Sequence, residues 1–372
     1  MWKTTLAALL SAAGAAACGG HGQASSDDTV NVYNWAASVG PGTIAGFERE
    51  TGIKVRYDTF ESDEVLEAKL LTGHTQYDVV VPSDVFFERE MRAGVFQQLN
   101  EAALPNRVNL DPAILGLLAP HDPGNRYGIP LIWATTGIGY NVDKIRRRLG
   151  SAEFESWSLI FDPRNAAKLQ DCGIVMLDSP TDVLSSMLLY LGKDPNTRDP
   201  VDLNAAADAL MRIRPYVRSI RSVGNIETLA SGEICAALGW SGVMTQAQNR
   251  ARELQDGVAI RYVLPREGGI ITIDTAGIPA DAPHARNAAK WLNYLMRPDI
   301  AAGITNAVQF PNGNLASLPF VEDAIRRDPT VYPDAEALKR LHTVVSAPPE
   351  IARQITRIWT RFRTGQPARE AG

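Results

Sequence analysis

The protein has 372 residues, with 37 Lys and Arg against 42 Asp and Glu, and 45% of its residues are hydrophobic. A chain about twice the length of a common single domain predicts two compact lobes, and the composition excludes disorder throughout the chain. The formal charge of −5 excludes a general nucleic-acid binder, because phosphate contacts need a basic surface. Cationic ligands remain compatible with this charge.

The first residues are typical of an export signal. Lys3 precedes an apolar run, Leu6–Ala17, which is too short to span a bilayer and ends in small residues before Cys18. A cysteine at this place also resembles a bacterial lipoprotein processing site. Residues 1–25 therefore predict a leader, with either lipidation of Cys18 or ordinary cleavage before Ser25, and the mature chain is exported in both cases.

Short apolar runs alternate with amphipathic segments from residue 29 onward. The strand-like runs alternate in hydrophobicity, and the helical segments carry stop signals such as Gly52. This order predicts a βαβαβ unit, the opening of a doubly wound α/β sheet. The predicted elements are strand 29–33, helix 41–50, strand 53–57, a helix that opens at Ser62, strand 79–81 and helix 86–93.

The second part of the chain has the same α/β character. A strand-like run over 127–133 leads into 135–140, and further buried strands are predicted at 174–177 and 234–238. Because ligands of such sheets bind at the carboxyl ends of the strands, we expect the functional residues there. The marked strand ends are Asn34–Ser38, Pro82–Asp84, Asp178–Pro180 and Gly239–Trp240.

Aromatic and acidic residues near these strand ends are candidate ligand contacts. Trp35 and Trp240 each follow just past a strand, where an indole either stacks on a ligand cation, worth roughly 0.5–2 kcal/mol, or covers the rim of its own core. Asp274 interrupts an apolar strand, so it is either buried with a partner or faces a cleft. Asp182 and Asp84 either face a ligand or cap a following helix.

Cysteine and histidine spacing bears on disulfides and metals. With Cys18 in the leader or the anchor, Cys172 and Cys235 form an even pair in an exported protein, which favours a disulfide. Closing that loop is worth roughly 4 kcal/mol, and two buried free thiols are the alternative. The five histidines are scattered without paired spacing, so we expect no metal site.

Catalytic motifs are absent from the sequence. It contains no Gly-x-Ser-x-Gly elbow, no His-Glu-x-x-His, no P-loop and no Gly-x-Gly-x-x-Gly after the first strand. We therefore expect no catalytic residue and no cofactor, and a binding function instead of an enzymatic one.

Seven blocks of the mature sequence carry a family resemblance: Val32–Trp35, Glu50–Val55, Tyr77–Ser83, Trp133–Asn141, Leu191–Asn196, Gly239–Trp240 and Asn293–Pro298. These blocks resemble the putrescine/spermidine-binding proteins of bacterial ABC importers, and the likeness covers nearly the whole mature chain in order. The resemblance implies a two-lobed α/β periplasmic binding protein of type II. Each lobe would be a mixed, mostly parallel sheet flanked by helices, and the lobes would close on the ligand.

The resemblance also implies lobe limits and partners. Lobe 1 would comprise 29–131 plus 251–296, and lobe 2 would comprise 134–250 plus 298–366. The chain would be a periplasmic monomer that carries a small cationic ligand, a polyamine or a related amine, to an inner-membrane ABC permease, with no nucleic acid. The two cysteines beyond the leader match a second-lobe disulfide of some members. A ligand-sensing partner of a membrane receptor is an alternative with the same fold and site.

The implied ligand site combines aromatic walls with carboxylates, because a polyamine is an apolar chain with ammonium ends. Trp35 and Trp240 correspond to the walls, and Asp274 corresponds to an amine-binding aspartate of the family. Asp182 stands where the family usually has Glu, and Phe310 where Tyr is common. The expected ligand-binding residues are Trp35, Ser38, Ser83, Asp84, Asp182, Trp240, Asp274 and Phe310.

The same site departs from the family at two acidic positions. Ala37 and Val243 stand where the family usually has Asp. A buried dication without those carboxylates has too few partners, which is costly. We therefore expect either a polyamine or a smaller monocationic or zwitterionic amine or amino acid, held at Asp274 and Asp182. Asp84 is the candidate for a carboxylate that reaches the ligand from a new direction.

Overall fold

The computed structural model describes residues 28–36, 38–222 and 224–366, so Cys18, Ala37 and the predicted leader lie outside the described residues. Within these ranges the chain contains ten β-strands. They are β1 (Thr29–Trp35), β2 (Lys54–Phe60), β3 (Val79–Val80), β4 (Gly128–Asn141), β5 (Ile174–Met176), β6 (Val217–Ile220), β7 (Ala236–Trp240), β8 (Ile260–Val263), β9 (Gly269–Gly277) and β10 (Leu341–His342).

Sixteen α-helices and four short 3₁₀ helices connect these strands in the described chain. The α-helices are α1 (Thr43–Thr51), α2 (Asp63–Leu70), α3 (Asp84–Arg92), α4 (Pro112–Leu118), α5 (Val142–Leu149), α6 (Ser158–Phe161), α7 (Pro163–Lys168), α8 (Pro180–Tyr190), α9 (Pro200–Ile213), α10 (Asn225–Ala230), α11 (Ser241–Leu254), α12 (Ala285–Leu295), α13 (Pro298–Val308), α14 (Asp323–Arg326), α15 (Ala335–Leu338) and α16 (Pro349–Thr364). The 3₁₀ helices are Glu101–Ala103, Pro105–Asn109, Arg214–Tyr216 and Leu315–Phe320.

The predicted βαβαβ opening is confirmed. β1 runs parallel to both β2 and β3, and α1 ends at Gly52, whose φ of 73° lies in the left-handed region that glycine tolerates. Ser62 caps α2, because its hydroxyl accepts the Val65 N–H at 3.3 Å. α3 begins earlier than predicted, so Asp84 is the first residue of a helix instead of part of a turn after the strand.

One mixed sheet runs through both halves of the chain. Its order is β2-β1-β3-β9-β4-β7-β5-β6, with β10 beside β9 and β8 beside β4. β4 has 14 residues; its first part pairs antiparallel with β9, and its last part pairs with β7 and β8. The two strand-like runs predicted around residues 130 and 138 are therefore a single long strand.

Two large apolar cores define the two predicted lobes. The first core includes Val30 of β1 and Trp291 of α12, and the second core includes Trp157 beside α6 together with side chains of α8 and α9. β4 contributes Ile129 to the first core and Ile138 to the second, so this strand links the lobes. The expected two-lobed α/β fold is confirmed.

The packing after α12 differs from the predicted lobe limits. Pro298 begins α13, whose Ile304 and Val308 pack in the first core. Within the described residues, the chain contributes to the second core again with Ala347 and α16. Assigning all of 298–366 to the second lobe does not follow this packing, because Arg297 is followed by another helix of the first lobe instead of a passage between lobes.

The disulfide between Cys172 and Cys235 is present, with the two Cα atoms 5.3 Å apart. Both residues are buried in the second core. They precede β5 and β7, which are parallel neighbours, so the bond joins the starts of two strands that lie 63 residues apart in sequence. The alternative of two free buried thiols does not describe this structure.

No helix among the described residues is both long and apolar enough to cross a bilayer. Within the same ranges, no group of three or more His, Cys, Asp or Glu side chains is arranged to hold a metal ion.

Candidate functional site

The predicted site residues lie at strand ends and helix starts of both lobes. Trp35 is the last residue of β1 and Trp240 is the last residue of β7, so the prediction that each lies just past its strand is wrong by one position. Ser83 follows β3 closely and forms an isolated antiparallel bridge to Asp274 of β9. This bridge places the end of a first-lobe strand directly against the strand that carries the predicted amine-binding aspartate.

Asp274, a predicted site residue, has a carboxylate without a hydrogen-bond or ion-pair partner in the described part of the chain. It lies opposite Ile132 in the β4–β9 ladder, and its side chain is half-buried. Among the described residues no hydrogen bond or ion pair reaches this carboxylate, and burial, with the like charges of Asp63 and Asp84, holds its pKa well above the usual range. A cation entering the cleft would stabilise the ionised form.

Asp63 lies beside these residues although the sequence did not point to it. It is buried, and its carboxylate accepts the backbone N–H of Ser83 at 3.0 Å and the Ser83 hydroxyl at 2.6 Å. Burial raises the pKa of Asp63 to about 7 against these two hydrogen bonds, and the charge of Asp84 adds to the rise. The pattern around Ser62 indicated only a helix start, so no local signal revealed this contact.

Asp84 is buried and faces a histidine. Its Oδ1 accepts the N–H of Val85 at 2.9 Å, and its Oδ2 lies 3.6 Å from Nε2 of the fully buried His121. Burial is the main cause that raises the pKa of Asp84 to about 6; His121 lowers this pKa, and Asp182 of the second lobe raises it. His121 was one of the scattered histidines, whose spacing carried no signal for this pairing.

Asp182 is held by two side-chain donors. Ser179 donates its hydroxyl at 2.6 Å, and Thr136 donates its hydroxyl. The nearby Trp240 indole acts to lower the pKa of Asp182. Burial nevertheless raises the pKa of Asp182 above its usual value. Ser179 is the N-cap of α8, so the interpretation of Asp182 as the helix cap is wrong.

Three half-buried aromatic side chains accompany the carboxylates. Trp35 packs on Phe60 with ring centroids 4.5 Å apart, and its buried indole N–H has no acceptor in the part of the chain that the structure describes. Phe310 lies against the start of α11, where a Cβ on Gly242 would overlap the Phe310 ring. Trp240 directly precedes α11, so the rings of Trp240 and Phe310 lie at the same end of this helix.

Ser38 lies at a small cavity of the first lobe. It is half-buried and lines this mostly apolar cavity together with Leu131, Ile132 and Asn312. Across the described ranges, no hydrogen bond or ion pair connects Ser38 with the carboxylates of the site. Its role as a ligand contact stays a prediction, as do the ligand contacts expected of the other site residues.

Four acids of the site, Asp63, Asp84, Asp182 and Asp274, form a group whose negative charge is only partly compensated. Asp84 raises the pKa of Asp63, both raise the pKa of Asp274, and Asp182 raises the pKa of Asp84. His121 opposes this charge at Asp84. Buried like charges are costly unless a cation joins them. The arrangement is therefore suited to holding a positively charged group between the lobes.

Known proteins resemble this chain over nearly its whole length. The family model for bacterial extracellular solute-binding proteins matches residues 42–333. The chain is 46% identical to the putrescine-binding periplasmic protein SpuD of Pseudomonas aeruginosa, over 98% of each chain. It is also 46% identical to the putrescine-binding periplasmic protein PotF of Escherichia coli, over 92% of this chain and 93% of PotF.

Solved structures show the same fold. The substrate-binding protein PotD of a spermidine/putrescine ABC transporter from Streptococcus pneumoniae superposes with a TM-score of 0.80 at 24% identity, over 91% of this chain and 99% of PotD. The matching family model and the two relatives at 46% identity are all solute-binding proteins and not enzymes. The chain therefore belongs to the family of bacterial extracellular solute-binding proteins.

Proposed function

We propose that this protein binds a polyamine of the putrescine/spermidine type in the periplasm and delivers it to an inner-membrane ABC importer. The observation that carries the proposal is the half-buried Asp274 carboxylate, which has acids around it and no partner among the described residues. A ligand ammonium supplies the counter-charge through charge-assisted hydrogen bonds, which are stronger than neutral ones. The two relatives at 46% identity, both putrescine-binding periplasmic proteins, support this ligand class.

Closure of the lobes on the ligand follows from where these side chains originate. Trp35 and Asp274 lie on β1 and β9 beside the first core, whereas Asp182 and Trp240 lie on α8 and β7 of the second lobe. A ligand that contacts both sets stabilises the closed arrangement, because only contacts that differ between two states shift their equilibrium.

The packing supports revised lobe limits within this proposal. Lobe 1 comprises 28–131 plus 269–331, and lobe 2 comprises 134–264 plus 349–366. The protein acts as a monomer, and its leader directs it to the periplasm. Lipidation of Cys18, which would tether it to a membrane, belongs to the same proposal.

One observation favours a smaller ligand as a second candidate. The Asp182 carboxylate already accepts hydrogen bonds from two side chains, whereas Asp274 accepts none within the described chain. A site with one open carboxylate suits a monocationic or zwitterionic amine or amino acid, whose second end needs no full counter-charge.

Isothermal titration calorimetry with putrescine, cadaverine, spermidine, agmatine and a set of amino acids tests both candidates. We expect a polyamine to bind with low-micromolar or tighter affinity, and Asp274→Asn to weaken that binding by about tenfold or more, because a charge-assisted hydrogen bond is lost. Asp143→Asn, on an exposed part of α5, is the matched control. Tight binding of an amino acid with no response to any polyamine would overturn the first candidate in favour of the second.

A further inference from the structure

His121 is a fully buried residue that lies between two carboxylates of α3. Its Nδ1 is 3.1 Å from Oε2 of Glu88, and its Nε2 is 3.6 Å from Oδ2 of Asp84. Neither that Nε2 nor that Oδ2 has a hydrogen-bond partner among the residues that the structure describes. The imidazole therefore lies between Asp84 and Glu88, which is farther along the same helix. Asp84 in turn raises the pKa of Asp274 in the cleft.

The contacts of Glu88 show that Nδ1 of the imidazole carries a hydrogen. Glu88 pairs with Arg92 at 2.7 Å and accepts the backbone N–H of Ser346 at 3.0 Å. Burial acts to raise the pKa of Glu88, but the hydrogen bonds from His121 and Ser346 and the charges of His121 and Arg92 hold it below its usual value. An ionised Glu88 only accepts hydrogen bonds, so the donor in its contact with His121 is Nδ1–H.

Nε2 of His121 and Oδ2 of Asp84 lie 3.6 Å apart, too far for a hydrogen bond but close enough for their charges to interact. A bare Nε2 would direct its lone pair at the lone pairs of an ionised Oδ2 inside the protein, and a proton on either atom removes this repulsion. With that proton the pair is either an imidazolium beside a carboxylate or an imidazole beside a carboxylic acid, and its net charge is zero in both forms. Burial opposes the imidazolium, but Glu88 and Asp84 raise the pKa of His121 overall.

We propose that His121 limits the number of positive charges on the ligand that the cleft accepts, because a proton held by either His121 or Asp84 leaves one carboxylate fewer for a ligand cation to neutralise. This inference rests on the proposed function and narrows its ligand class. The cleft accepts an amine with one ammonium group fewer than the same four acids would accept without His121. The ligand is therefore a small amine with one or two ammonium groups, anchored at Asp274.

The other charged groups around His121 leave this pairing intact. Arg92 on α3 acts against the imidazolium, but its guanidinium is paired with Glu88. Asp122, the next residue in the loop of His121, uses its carboxylate to accept two backbone N–H groups of that loop and the N–H of Gly128 at the start of β4. Asp84 and Glu88 are the acids in contact with the ring.

A set of charge variants with two matched amines tests the proposal. Putrescine and butylamine share a four-carbon chain and differ by one ammonium group. In His121→Asn the amide N–H can replace Nδ1 at Glu88, but nothing replaces Nε2, so Asp84 is left uncompensated. We expect the ratio of putrescine affinity to butylamine affinity to rise by about tenfold or more, because the uncompensated negative charge of Asp84 favours the amine with the extra ammonium group.

The double variant Asp84→Asn/His121→Asn removes both charges and is the matched control. Its affinity ratio is expected to return to within about threefold of the wild-type ratio, because the two substitutions cancel in charge. If His121→Asn weakens both amines equally and leaves the ratio unchanged, His121 has only a structural role and the proposal is overturned.

A measurement without ligand separates this proposal from the proposed function. NMR titration of the ligand-free protein is expected to show the His121 imidazole protonated above its ordinary pKa of about 6.5, and Asp84→Asn to lower that pKa by about one unit or more. An imidazole with an ordinary pKa in both proteins overturns the proposal, whichever amine binds. If no amine binds the wild-type protein, the proposed function fails, and the ligand class named here fails with it.

Discussion

At the scale of single residues, three acids of the first lobe share the same direction of pKa shift. Asp63, Asp84 and Asp274 all have a raised pKa, and burial is the largest cause in each case. A carboxyl group whose pKa is higher in the folded state than in the unfolded state binds more protons when folded. Stability therefore falls as pH rises from the unfolded pKa through the folded pKa. The raised pKa of His121 acts in the same direction.

We predict that the ligand-free protein has a higher midpoint of thermal unfolding at about pH 5 than at about pH 8, because its buried acids lose protons across this interval. The steepest change is expected around the pKa values of about 6 for Asp84 and about 7 for Asp63. Differential scanning calorimetry in buffers of matched ionic strength measures the profile. A midpoint that rises over this interval would contradict the raised pKa values.

Ligand binding is expected to show the opposite pH dependence. An ammonium group stabilises ionised carboxylates, so the acids release protons as the cation binds. We predict that amine affinity increases from about pH 5 to about pH 8, where simple amines stay fully protonated. Calorimetry in two buffers with different ionisation enthalpies detects the released protons directly. Binding without proton release and with constant affinity would show that the cation does not meet these acids.

At the scale of elements, the start of α11 is packed against an aromatic side chain of another segment. The Phe310 ring occupies the space that a Cβ on Gly242 would need. Gly242→Ala is expected to displace this ring, at a cost of about 1–3 kcal/mol, and to weaken amine binding because Trp240 directly precedes the same helix. Thermal unfolding and calorimetric titration of the variant measure the two effects.

Gly116→Ala provides the matched control for that substitution. Gly116 is an exposed residue inside α4, and a Cβ there has nothing within 4 Å. Alanine at this position is expected to leave binding unchanged and to stabilise the protein by about 0.5–1 kcal/mol, since it favours helix more than glycine. Equal effects of the two substitutions on binding would mean that the Phe310 contact has no part in the site.

Local sequence patterns predict individual helices and strands, but they do not predict contacts between residues that are distant in sequence. Gly52 and Ser62 act through their immediate neighbours, so α1, α2 and the parallel strands around them were predicted from local patterns. The contact between Asp63 and Ser83 spans 20 residues, and the contact between His121 and Glu88 spans 33. Such pairs depend on how the helices and loops pack, and no periodicity or spacing encodes them.

At the scale of the whole molecule, the connecting segment 343–348 lies between the lobes. Asn196, which follows α8, donates to the Thr343 carbonyl and accepts the Val345 N–H, both at 2.9 Å. The same segment leads into α16 of the second core. Ser346 donates its N–H to Glu88 of the first lobe at 3.0 Å. The segment is therefore fastened to the second lobe and makes one charge-assisted contact with the first.

Proline at position 346 tests whether this contact contributes to closure. Among the residues that the structure describes, Ser346 is the one whose backbone N–H Glu88 accepts, so Ser346→Pro removes that donor, whereas Ser346→Ala keeps it. A hydrogen bond to a charged group is worth about 1.5–3 kcal/mol, so we predict that Ser346→Pro weakens amine binding by about tenfold or more and that Ser346→Ala binds like the wild type. Small-angle scattering with saturating ligand is expected to show a more open shape for Ser346→Pro. If both variants bind equally well and close equally, the contact between Glu88 and the connecting segment adds nothing to the closed state.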